Sequence, residues 1–183
     1  MTTPLQPETA DSLPAPAPTR GSPAWQRWLK RLSIDAALMI LIWMVIQSVR
    51  GGVPLPDHAP ALPLTLTDGS ARGLADYAGK PLVLYFWATW CPACKITSPT
   101  VDQFARSHPE VAVVGIALDD PEAVRAYLST TPRHFSVGFL SEVGQTQWPV
   151  HSLPSTIVLD SHAQVLWSRQ GALLPGELNW HVP

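Results

Sequence analysis

The sequence predicts an α/β fold, a mixed central sheet flanked by helices, carried behind one N-terminal transmembrane helix. Three observations predict it. Between residues 61 and 183, continuous apolar runs alternate with segments of helical spacing. The last two runs, STIVLD and QVLWSR, are separated only by SHA and read as an antiparallel hairpin. Ahead of this region, an apolar segment lies between two proline-rich stretches.

The elements follow in chain order. Prolines 4, 7, 14, 16, 18 and 23 mark residues 1–26 as a disordered tail, because proline removes a backbone donor and fixes φ. Residues 27–50 read as the membrane anchor. Leu32 to Val49 is interrupted only by Ser33, Asp35, Gln47 and Ser48, and its strictly apolar part runs from Ala36 to Ile46. That part also has the length of a signal-peptide core. The far end, QSVRGG, lacks a small-x-small cleavage pattern, and the leader is long for a secretory signal, so a retained anchor is preferred to a cleaved one. Arg27, Lys30 and Arg31 crowd one flank and Arg50 stands alone on the other, which places the tail in the cytoplasm and the remainder outside it. Prolines 54, 56 and 60, with Pro63 just beyond, make residues 51–60 an extended, semi-rigid linker.

The remaining 61–183 is long enough for one hydrophobic core. Leu62 to Leu66 is expected as an edge strand, DGS as a turn and LADYAG as a short helical turn. LVLYFWA, apolar throughout, reads as a central strand buried on both faces. A helix is expected from Pro92 to about Ser107, then a buried strand in VAVVGIAL. DDPEAVRAYLST opens with acidic residues and proline, as suits a helix start. SVGFL reads as a short strand, EVGQTQW as a helical turn, and the final GALLPGELNWHVP receives no element.

Composition removes several function classes. Two cysteines in 183 residues cannot build a disulfide-dense scaffold or a four-cysteine zinc site. A net charge of −2 gives no general reason to bind nucleic acid, and 46% hydrophobic content excludes a largely disordered chain. Residues 1–50 carry five basic and three acidic side chains and residues 51–183 carry seven and eleven, so the exported domain is mildly acidic.

The chemistry is concentrated in Cys91-Pro92-Ala93-Cys94, which follows the central strand and opens a helix. A spacing of two puts both sulfurs on one turn. Cys91 sits at the helix N-terminus, where unpaired amides and the dipole favour a thiolate; Cys94, one turn in, is more shielded. That asymmetry suits thiol–disulfide exchange, with Cys91 attacking a partner disulfide and Cys94 resolving the mixed disulfide. Pro92 is tolerated because a first-turn N–H has no helical partner. Other readings of the pair are a structural disulfide, whose four-residue loop adds little, or a metal site completed by His134 and His151. A haem attachment site would need histidine where Lys95 stands.

LVLYFWATWCPACK resembles the active-site segment of the thioredoxin superfamily. Pro99, eight residues after Cys91, matches that family's helix-kinking proline, and Leu153-Pro154-Ser155 matches its loop before the strand facing the cysteines. The resemblance implies a thioredoxin-like fold, a cis bond at Pro154 and catalytic roles for Cys91 and Cys94. The long interval from Cys91 to Pro154 leaves room for an inserted strand and helix at about Ser136 to Trp148. With the anchor, this is similar to exported TlpA/ResA-like oxidoreductases, and the Trp near the C-terminus brings it nearest to their copper-sensitivity suppressor D type. Tyr85 stands where thioredoxin carries a buried acid that serves proton transfer, so the proton acceptor for Cys94 is left unassigned.

Trp90 is expected at the rim, and with Pro92, Leu153 and Pro154 it forms the expected binding surface for an extended protein substrate. Trp87 and Trp167 are expected in the core. The Pro-Ala dipeptide holds no histidine to stabilise the reduced form. This favours a reductant, supplied with electrons by a membrane thiol reductase of the DsbD type, over an oxidant or isomerase. A copper carrier with Cys91 and Cys94 as soft ligands is the binding-class alternative; Met1, Met39 and Met44 all lie outside the exported domain. Cytochrome c maturation is a further client possibility. No cofactor and no resident metal are expected. The location implied is the bacterial inner membrane, with the catalytic domain in the periplasm.

Overall fold

A computed structural model describes residues 35–42 and 53–183. The expected tail, the rest of the expected anchor and the first linker residues lie outside the described residues. A helix, α1, covers residues 35–42 within the expected anchor and is exposed along its length. No helix among the described residues is long and apolar enough to cross a membrane.

From Val53 onward the chain builds a seven-stranded mixed sheet. The strands are β1 (Leu64–Leu66), β2 (Ala71–Arg72), β3 (Leu82–Trp87), β4 (Ala112–Ala117), β5 (Ser136–Leu140), β6 (Ser155–Leu159) and β7 (Val165–Gln170). Their order across the sheet is β2-β1-β5-β4-β3-β6-β7. β3 pairs parallel with β4 and β4 with β5, while β6 runs antiparallel to β3 and β7 antiparallel to β6. The helices are α2 (Pro92–Ser107), α3 (Pro121–Thr130) and α4 (Glu142–Gln147), with 3-10 turns at Leu74–Tyr77 and Glu177–Trp180. β5 and α4 occupy the interval expected for the inserted strand and helix.

The unbroken apolar run of β3 follows from its central place. Val83, Tyr85 and Trp87 join one core with Cys94, Val101 and Phe104 of α2, whereas Leu82, Leu84 and Phe86 join the opposite core with Ile116, Ile157 and Trp148. Strand side chains alternate between faces, so a strand covered on both needs apolar residues at every position. Gly115 on β4 is required by close packing: a β-carbon there would lie 2.6 Å from the Phe135 ring and 3.0 Å from Trp87 Nε1.

Leu62–Leu66, expected at an edge, is corrected. The strand begins at Leu64 and is interior, paired with β5 on one side and β2 on the other. The turn at Asp68–Ser70 is closed by the Asp68 carboxylate, which accepts from Ser70 N and Oγ, and it folds Ala71–Arg72 back as the outer strand.

The proline-rich stretch from Val53 lies along β7. Val53 N–H donates to Ser168 Oγ at 2.9 Å, Val165 N–H donates to Asp57 O, and His58 bridges Gln164. The C-terminal stretch folds back over the α2 face, where Leu178 is buried and Arg169 pairs with Glu177.

Candidate active site

The site lies at the C-terminal ends of β3 and β4, where open α/β sheets place their ligands. β3 ends at Trp87, and a short loop delivers Trp90 and Cys91 to the start of α2. Cys91 is the N-cap of that helix, with extended backbone, and its sulfur accepts from Cys94 N–H at 3.1 Å. The helix start therefore directs an amide donor at the first sulfur, the arrangement that stabilises a thiolate. The pair is present as a disulfide with Cα atoms 5.2 Å apart. Cys91 is 4% exposed and Cys94 0%, so the second sulfur is the more shielded.

The loop before Cys91 is held from β4. Asp119, just past the end of that strand, accepts from Thr89 N–H at 3.1 Å and also from Thr89 Oγ1. Its other oxygen accepts from Asp120 N–H at 2.8 Å. The Thr89 hydroxyl, more than any other group, holds the Asp119 carboxyl below its ordinary value. Asp120 caps α3 through Glu122 N–H and Ala123 N–H, as its place before Pro121 suggests.

Beneath the site, Tyr85 is fully buried and edge-on to Phe135. Its hydroxyl donates to Cys94 O at 3.1 Å and lies 3.1 Å from Ser98 Oγ, while Ser98 Oγ donates to the same carbonyl at 2.8 Å. Burial is the main cause that pushes the Tyr85 phenol up to about 12.

Opposite the cysteines, the Leu153–Pro154 bond is cis. Trp90, Cys91, Pro92, Leu118, Val150 and Leu153 are among the residues lining a groove of about 440 Å³ between the helix start and this loop. The structure thus brings Trp90, Cys91, Pro92 and Leu153 to one groove; Trp90 is 65% exposed and Pro154 is buried just beyond. Trp87 is buried against Tyr127, and half-buried Trp167 stacks on His181 at 4.2 Å. Of the histidines considered as metal ligands, His151 lines the groove, whereas His134 pairs with Asp102. Among the described residues no group of three or more His, Cys, Asp or Glu side chains could hold a metal ion.

Sequence reasoning missed Asp119, Thr89 and Ser98. For Asp119 a signal existed, a carboxylate at the C-terminal end of a strand parallel to the one that carries the cysteines. Thr89 and Ser98 carry no sequence signal of their own, since both roles depend on tertiary contacts.

Comparison with known proteins agrees with this geometry. Residues 55–168 match the AhpC/TSA family. A thioredoxin-like protein of Haemophilus influenzae is 27% identical over 140 residues, covering 72% of this chain and 81% of that protein. The thiol:disulfide interchange protein DsbE of Xylella fastidiosa is 31% identical over 130 residues, covering 69% of this chain and 64%, under two thirds, of that protein. A secreted Mycobacterium tuberculosis disulfide oxidoreductase, described as homologous to E. coli DsbE, superposes with a TM-score of 0.58 at 26% identity, covering 67% of this chain and 92% of its own. A match over more than half the length, on a sheet that sets a cysteine pair at a helix start opposite a cis-proline loop, fixes the assignment: the chain belongs to the AhpC/TSA family, among its thioredoxin-like disulfide oxidoreductases.

Proposed function

We propose that the protein is an exported, membrane-anchored oxidoreductase of the TlpA/ResA-like group, nearest its copper-sensitivity suppressor D type, that reduces disulfides in protein clients. The observation that carries the reading is the Cys91 sulfur at the start of α2, accepting an amide hydrogen bond at the mouth of an apolar groove. In the reduced protein, the Cys91 thiolate attacks a client disulfide. One client sulfur leaves with the bonding electron pair, and the other remains joined to Cys91. Cys94 then displaces it, forming the Cys91–Cys94 disulfide and releasing the reduced client. A membrane thiol reductase of the DsbD type returns two electrons to the pair. Trp90, Pro92, Leu153 and the cis Pro154 form the surface on which the client segment lies, and the anchor keeps the domain at the outer face of the inner membrane.

Exchange of Cys94→Ser in intact cells tests the reading. Cys91 then holds clients as mixed disulfides, and the trapped proteins identify them; the absence of any trapped protein would overturn the proposal. Equilibration of the wild-type domain with glutathione tests the direction. A midpoint well below the roughly −120 mV of strong oxidants supports a reductant, and one near that value refutes it.

A further inference from the structure

Tyr85 lies beneath the resolving cysteine, at the position for which the resemblance to thioredoxin implied a buried acid. What the residue does instead can be read from its contacts. Two hydroxyls, from Tyr85 and Ser98, converge on the carbonyl oxygen of Cys94 at 3.1 and 2.8 Å, and they lie 3.1 Å from each other. Each hydroxyl has one proton to donate. Ser98 spends its proton on the carbonyl, and Tyr85 shares its own between that carbonyl and the Ser98 oxygen. All three residues are buried, Tyr85 and Cys94 completely. Pro99 follows immediately inside the helix, and its missing N–H removes one bond from the ladder just past this turn. At the Cys94 carbonyl the helix is thus supplemented by two hydroxyls, one from β3 and one from the next turn of α2.

We propose that Tyr85 and Ser98 are positioning residues for the resolving step, a neutral two-hydroxyl clamp that keeps the Cys94 sulfur directed at Cys91 and takes no proton from it. The inference rests on the disulfide-exchange reading above. In the resolving step the Cys94 thiol gives up its proton and its sulfur bonds to Cys91. The Cys91–client bond breaks, and the client sulfur leaves with that bond's electron pair. The proton lost by Cys94 ends on the departing client sulfur, so the step is balanced without a buried base. Tyr85 remains protonated throughout, consistent with its raised phenol. The charged and titratable groups that face it are Arg133 and Tyr127, the former donating to the latter at 3.1 Å, and neither is a carboxylate.

The test follows the mixed disulfide between Cys91 and a chromophoric peptide by stopped flow, measuring the rate of resolution by Cys94 from pH 5 to 9. Tyr85→Phe and Ser98→Ala are each expected to slow resolution about 3- to 10-fold, the loss of one net hydrogen bond. Alkylation of Cys91 in the reduced protein should change less than about twofold, because its amide donor is retained. Ser98→Thr should restore the rate, and the wild-type pH profile should show one ionisation, that of the Cys94 thiol. Ser98→Ala alone decides the matter if Tyr85→Phe does not fold. Wild-type resolution at normal speed in both variants, or a second ionisation that Tyr85→Phe removes, would overturn the clamp. Failure of the wild type to form any mixed disulfide would instead overturn the exchange reading on which it rests.

Discussion

Asp119 offers the sharpest test of how the cysteine loop is held. Its carboxylate accepts three hydrogen bonds, two from Thr89 and one from Asp120 N–H. Each is worth about 0.5–1.5 kcal/mol net. The group is partly exposed, which puts the sum toward the lower part of that range, so Asp119→Ala should cost about 1.5–3 kcal/mol at neutral pH. For a domain of this size that lowers the melting temperature by roughly 5–10 °C. The sign of the pH dependence follows from the depressed carboxyl. A group whose pKa is lower in the folded than in the unfolded state contributes fully above the unfolded value, 3.8, and loses that contribution as pH falls through the folded value. The difference between wild type and Asp119→Ala should therefore be full at pH 6–7 and narrow below about pH 4. Asp119→Asn keeps an oxygen acceptor without the charge and should fall between them. Thermal melts followed by circular dichroism across this range measure the effect. An Asp119→Ala melting point within about 1 °C of wild type at pH 7, or a gap unchanged at pH 2.5, would refute the reasoning.

Three further outcomes are expected. Gly115→Ala pushes a β-carbon to 2.6 Å from the Phe135 ring and should destabilise by about 1–3 kcal/mol, read from urea unfolding with an unchanged m-value. Leu178→Ala empties a fully buried position against α2 and should cost about 2–5 kcal/mol, which would show that the C-terminal turn is part of the folded unit. Trp90→Ala should leave the melting temperature within about 2 °C, because the side chain is 65% exposed, while lowering kcat/KM for protein disulfides in an insulin-reduction assay.

The legible part of this fold was the part whose signal is local. LVLYFWA is apolar at every position because β3 is covered on both faces, and the helix begins at Pro92 and ends at Ser107 because its cap, its first-turn proline and its spacing all lie within the segment itself. The hairpin of β6 and β7 was equally plain. The outer strand was not. Ala71–Arg72 has two residues, no pattern of its own, and pairs only because the Asp68 turn returns the chain to β1. The same distinction applies within the site. Cys91 and Cys94 declare themselves by spacing. Thr89 and Asp119 are 30 residues apart and meet because β3 and β4 run parallel in register, Trp87 beside Ala117. Ser98 resembles any other helix serine until Tyr85 reaches up from the strand below it. The proline-rich stretch illustrates the reverse case, a composition that gives the conformation but not the contacts: it is extended, and from Val53 it is also fastened to β7.

The two cysteines meet different chemistry although they are one helical turn apart, and the difference bears on which of them leads. The Cys91 sulfur is placed where charge is stabilised, with an amide pointing at it and a helix start behind it. The polar groups identified around Cys94 are hydroxyls, and they are engaged with its carbonyl rather than with its sulfur. The placement of the Cys91 sulfur is what supports the proposed assignment of Cys91 as the attacking residue. In the proposed exchange Cys94 gives up its proton as it is drawn onto the mixed disulfide, where the departing client sulfur takes it. A carboxylate in place of Tyr85 would add a second ionisation beneath Cys94 and couple its titration to the thiol's. With tyrosine there, the proposed clamp predicts a pH dependence of exchange set by the sulfurs alone, over the range in which the Asp119 hold on the loop is also intact.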